Sequence, residues 1–197
     1  MSDGKSLPQR RHLRLAAYDY TQDGAYFVTL CAANHVCLFG SVIDGKVRLN
    51  AYGQIAEREW RRTAVMRTAV TMDAWVVMPN HVHGIVVIEA ADDSELVDKS
   101  GFASDRRSPL RIEREGLSVA RGPAQASLGA LIVGYKAAVT RRINELRGTN
   151  QPAIWQRNYY EHVIRNDEDL VRIREYIVNN SARWSEDRYY REPSDDA

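Results

Sequence analysis

Apolar positions gather most densely near the middle of the chain. There Ala74-Trp75-Val76-Val77 and Ile85-Val86-Val87-Ile88 flank the stretch Met78-Pro79-Asn80-His81-Val82-His83-Gly84. Two short apolar runs separated by Pro and Asn predict a pair of strands joined by a tight turn. Earlier, Ala25-Tyr26-Phe27-Val28-Thr29-Leu30-Cys31-Ala32 is aromatic and β-branched and reads as a first strand. Val42-Ile43-Asp44-Gly45-Lys46-Val47 carries the Asp-Gly pair of a tight hairpin. From about Ala51 to Arg67, Ile55, Trp60 and Val65 sit among charged residues, giving an amphipathic helix of imperfect period. Leu128, Leu131, Ile132, Tyr135, Val139, Ile143 and Leu146 recur at helical spacing and predict a helix over 126–147, with Gly148 as its stop. A fourth strand falls within 154–165. Asn166-Asp167-Glu168-Asp169 then caps the acidic start of a last helix over about 167–180. Strand, helix, strand, strand, helix, strand is the ferredoxin-like order, so the expected class is α+β, an antiparallel sheet with an appended C-terminal helix.

A length of 197 residues suits one domain. The expected domain spans 23–182, between a basic amino-terminal tail, 1–22, and a carboxy-terminal tail, 183–197. Residues 91–125 lack sustained periodicity, begin acidic and turn arginine-rich, which predicts a flexible insertion. A formal net charge of +1 argues neither for nor against a nucleic-acid partner, so the distribution of charge matters more. Lys136, Arg141 and Arg142 lie off the apolar stripe of their helix and are candidates for DNA phosphates, with a solvated face as the plain alternative. No secretory segment and no bilayer-length apolar run is evident, so the expectation is a cytoplasmic protein without membrane contact. Cys31 and Cys37 are then reduced, and their spacing with His81 and His83 matches no common zinc finger.

The candidate chemistry lies in the central hairpin. Strand side chains alternate between faces, so His81 and His83 share one face, about 7 Å apart along it, and can close on a single metal ion. Two histidines on a wet sheet face are the other reading. On the last helix, Leu170, Ile173 and Ile177 form a packing stripe, while Tyr176 and Asn180 stand four residues apart on one face. If that face lies across from the histidines, Asn180 can offer an oxygen as third ligand and Tyr176 a phenol beside the ion. Helix-edge packing and a helix-end role remain open for these two. Nitrogen and oxygen ligation with open positions suits Mg²⁺ or Mn²⁺ acting as a Lewis acid.

Taken in order, Ala74-Trp75-Val76-Val77-Met78-Pro79-Asn80-His81-Val82-His83, Trp155-Gln156-Arg157…Glu161-His162-Val163-Ile164-Arg165 and Tyr176-Ile177…Asn180 carry a resemblance. From Tyr26-Phe27-Val28-Thr29 to Asn180, outside 91–125, the chain resembles the REP-associated tyrosine transposases, a branch of the HUH-type single-tyrosine transposases. The resemblance implies that His81, His83 and Asn180 hold the metal and that Tyr176 is the nucleophile. Proline often follows that asparagine in the family, whereas Ser181 stands here, and Asn179 competes with Asn180. Tyr135, Tyr159 and Tyr160 are the competing nucleophiles. The implied activity is cleavage and rejoining of single-stranded DNA near a REP-like hairpin through a 5′-phosphotyrosine, by a monomer or homodimer. Arg157, His162 and Lys136 are candidate substrate contacts, His162 fitting a structural role as well. A ferredoxin-like single-strand-binding module without catalysis, and an HUH nuclease of replication or conjugation, are the rival readings.

Overall fold

A computed structural model of the chain describes residues 24–67, 69–89 and 127–191. The tail expected over 1–22 and the insertion expected over 91–125 lie outside the described residues. Among the described residues, six strands and three α-helices follow in order: β1 (Gly24–Cys31), β2 (Gly40–Ile43), β3 (Lys46–Leu49), α1 (Ala51–Val65), β4 (Val70–Val77), β5 (His81–Ile88), α2 (Leu128–Arg147), β6 (Tyr160–Ile164) and α3 (Asp167–Asn179). β4, β5, β1 and β6 form one antiparallel sheet in that spatial order, the ferredoxin-like arrangement. β2 and β3 form a separate ribbon, turned by Asp44 and Gly45 at φ of 52° and 69°, the paired positive values that an Asp-Gly turn adopts readily.

Alternation along the strands divides the molecule into two cores. Tyr26, Val28 and Leu30 of β1 and Val82 and Val86 of β5 face α1 and α2, meeting Ile55, Trp60, Leu131, Tyr135, Val139 and Ile143. Phe27, Ile85 and Ile164 face the other way, onto Ile173 and Ile177 of α3. The first core fixes β5 tightly. A Cβ at Gly84 would lie 2.2 Å from Cζ2 of the fully buried Trp60, so glycine lets the indole rest on the strand backbone. In β4 the register shifts between Met72 and Trp75, a bulge that keeps Val70, Met72, Trp75 and Val77 all on the first core.

The helices begin as their caps dictate. Asn50 accepts the backbone N–H groups of Tyr52 and Gly53, Ser127 that of Ala130, and Asn166 that of Asp169. α2 ends at Gly148, whose φ of 67° is the left-handed stop expected from sequence. Arg174 of α3 pairs with Asp73 of β4 at 2.7 Å, fastening the helix across the sheet.

Candidate functional site

The second face of the sheet carries the histidine pair. His81 is fully buried and His83 is 1% exposed, with ring centroids 4.3 Å apart. These are not histidines on a wet face. The Asn80 amide nitrogen donates to the carbonyls of His35 (3.1 Å) and Tyr189 (2.7 Å). Its oxygen is therefore the atom facing His81 Nδ1, at 2.8 Å, and His81 must carry its proton there. That leaves His81 Nε2 bare, buried and without a hydrogen-bond partner. Thr29, directly opposite His83 in the β1–β5 register, sets its hydroxyl 2.9 Å from His83 Nδ1. Burial lowers the His81 pKa to about 4. Burial, and then the charge of a protonated His81, hold His83 well below the usual imidazole value. Both rings are neutral at neutral pH, the form that ligates metals.

α3 delivers the phenol and the amide. With Ile173 and Ile177 packed on the sheet, Tyr176 lies against the His83 ring, and its hydroxyl stands 3.2 Å from His83 Nε2. Asn180, just past the helix and buried, donates from Nδ2 to Asp187 Oδ2 at 2.9 Å, while its Oδ1 has no partner. Burial first, and the Asp187 charge next, push the Tyr176 phenol up to about 12.

Asp187 is not among the residues singled out by pattern or spacing. It follows a 3₁₀ turn, Trp184–Glu186, in a segment that packs back onto the site. Trp184 and Tyr189 are buried, their rings 6.0 and 4.8 Å from His81. Asp187 Oδ1 accepts the Tyr189 N–H at 2.6 Å, and Oδ2 lies 3.4 Å from the Tyr176 hydroxyl. His81, His83 and Asp187 offer ligand atoms within 4.8 Å of one another, a group that could hold a metal ion. His81 Nε2 and Asn180 Oδ1 are both buried polar atoms without a hydrogen-bond partner among the described residues. No periodicity marks Asp187, Asn80 or Thr29. The aromatic Trp184, Tyr189 and Tyr190 were the available hint that this stretch folds back.

The remaining candidates fall elsewhere. Lys136 donates to the carbonyls of Gln156 (2.9 Å) and Asn158 (3.0 Å), and burial lowers its pKa to about 8. Arg142 pairs with Glu145 and Glu59, and Arg141 with Glu145. These three belong to α2, on the sheet face away from the histidines. Arg157 lines a separate surface depression with Lys136 and Arg141. His162 bonds Asp169 at 2.7 Å and lines a cleft of about 550 Å³ between β6 and α3, onto which Tyr176 and His83 also open. Of the competing tyrosines, Tyr135 is buried with its hydroxyl on the Ala56 carbonyl, Tyr159 lies under the Lys136 ammonium, and Tyr160 faces the cleft.

A protein of Haemophilus influenzae (strain ATCC 51907 / DSM 11121 / KW20 / Rd) is 34% identical over 187 residues, 93% of this chain and 94% of its own length. The chain belongs to that protein's family. The relative is itself uncharacterised, so membership brings no activity with it. No family model matches the chain. Among solved structures, a REP-associated tyrosine transposase bound to a REP hairpin is similar at a TM-score of 0.48 and 19% identity, over 85% of this chain and 72% of that one. A chain from Deinococcus radiodurans R1 is similar at a TM-score of 0.43 and 13% identity, over 84% of this chain and 95% of that one. Likenesses this distant carry no argument about activity.

Proposed function

We propose that this protein is a single-tyrosine DNA transposase of the HUH type, which cleaves and rejoins single-stranded DNA near a hairpin. One observation carries the reading: the Tyr176 hydroxyl stands 3.2 Å from His83 Nε2, beside a second buried imidazole whose Nε2 has no partner. His81, His83 and Asn180 would hold a divalent ion, with the Asp187 carboxylate in reach of the same point. Bound there, Mg²⁺ or Mn²⁺ would polarise the scissile phosphate and offset its developing charge. A module that only binds DNA gains nothing from two desolvated imidazoles, and an unpartnered buried nitrogen costs about 1–3 kcal/mol.

The chain's own groups account for the rest. Asn80 and Thr29 orient the two rings through their Nδ1 atoms, the support that metal-binding histidines need. The Tyr176 oxygen forms a bond to phosphorus as the bond from phosphorus to the 3′-oxygen breaks. A 5′-phosphotyrosine and a free 3′-hydroxyl result. At a pKa of about 12 the phenol is protonated at neutral pH, so its proton must leave as attack proceeds. Its two acceptors among the described side chains are His83 Nε2 and Asp187 Oδ2. Were His83 Nε2 to hold the ion and the Asp187 carboxylate to stay off it, Asp187 Oδ2 would be the acceptor left for that proton. Attack by a 3′-hydroxyl on the phosphotyrosine would reverse the step and rejoin DNA.

The test uses a 3′-labelled single-stranded hairpin oligonucleotide with Mn²⁺ or Mg²⁺. Label is expected to migrate with denatured wild-type protein and to be absent with Tyr176→Phe. Release of label without protein attachment, or capture that survives Tyr176→Phe, would remove the tyrosine mechanism.

A further inference from the structure

The cleft between β6 and α3 is unused by the chemistry above, yet it opens onto the nucleophile. It is lined by Phe27, Tyr160, His162, Arg172, Tyr176 and Arg183, among others, and its volume of about 550 Å³ suits a small ligand. Phe27 floors it between two tyrosines. Its ring centroid lies 6.1 Å from that of Tyr176 and 6.3 Å from that of Tyr160, edge-to-face with both. Tyr160 is nonetheless 38% exposed, an aromatic ring braced by Phe27 and open to the cleft. Arg172, Arg183 and Arg188 reach the same walls, with Glu175 as the carboxylate among the described lining residues. Arg183 is engaged with Glu186 at the exposed surface, and Arg172 with Asp169. The Arg183–Glu186 pair is exposed at both ends and weak, so its guanidinium group can turn to a phosphate at little loss.

From this we infer that the cleft seats one unstacked nucleotide of the DNA strand next to the phosphate that Tyr176 attacks, with Tyr160 as the stacking surface for its base. The inference rests on the reading of Tyr176 as nucleophile and adds a residue that holds substrate without reacting. An aromatic face serves any base, because every base has a π-face, while the arginines track the backbone on either side. Tyr160 is then a positioning residue whose hydroxyl is dispensable and whose ring is not.

The experiment uses the full chain carrying Tyr176→Phe, with Mn²⁺ and a hairpin oligonucleotide in which 2-aminopurine is walked through the single-stranded flank. Emission is expected to change at one flank position on binding. Tyr160→Phe should keep that response, while Tyr160→Ala and Tyr160→Leu should lose it and weaken binding about tenfold. A response indifferent to Tyr160→Ala and Tyr160→Leu, or none at any position when the oligonucleotide binds, overturns the seat. The 3′-label assay on Tyr176-intact protein separates the two claims. Capture of label alongside a Tyr160-independent response sinks the seat alone, and a Tyr160-dependent response without capture sinks the tyrosine mechanism alone.

Discussion

At the scale of single residues, the site is set by partners that fix each ring. Asn80 orients His81 while bonding two backbone carbonyls, so Asn80→Ala is expected to do two things at once. It should lower Mn²⁺ affinity about 10- to 100-fold by calorimetry, through the loss of ring orientation. It should also destabilise the apo protein by roughly 1–3 kcal/mol, because buried carbonyls lose their donor. pH acts on the same groups. Folded His81 titrates at about 4 and an unperturbed imidazole at 6.5, so between those values the unfolded chain binds more protons than the folded one. Stability is then full above pH 6.5 and falls as pH drops towards 4. In chelator, the melting temperature should be lower at pH 5 than at pH 7.5, and the difference should shrink in His81→Gln. The period-two spacing made His81 and His83 legible as a pair. It could not reveal that both are buried, because that depends on Trp184 and Tyr189 packing over them.

At the scale of elements, order and type were readable, and the irregularities were not. The periodic helices and the Asp-Gly ribbon emerged because each satisfies a local rule. The start of β4 did not: the bulge at Met72/Trp75 breaks the alternation that marks a strand, hiding the half that begins at Val70. Asp187 escaped for a related reason, since an irregular turn carries no period. Gly84 shows how one element constrains another. Gly84→Ala would drive a methyl into Trp60, which is fully buried and has no room to swing. It is expected to destabilise by about 2 kcal/mol or more in urea melts, more than the roughly 1 kcal/mol expected for Asn166→Ala at the start of α3. A Gly84→Ala midpoint equal to wild type would show that the indole does not sit where described.

At the scale of the whole molecule, an ion held by groups from β5 and the region after α3 should bind only the folded form. Mn²⁺ at about 100 times its dissociation constant is then expected to add roughly 2.7 kcal/mol of stability, read as a rise in melting temperature. The rise should vanish in His81→Ala/His83→Ala. An equal rise there would place the binding elsewhere. The contacts that complete this centre span long stretches of chain: Thr29 to His83, His83 to Tyr176, and Asn80 to the carbonyl of Tyr189. A ribosome must therefore have released Tyr189 from its exit tunnel before His81 is propped in place. Chains that end short of Tyr189 lack the carbonyl that helps hold the Asn80 amide, so the orientation of His81 is completed only once the stretch after α3 has folded back.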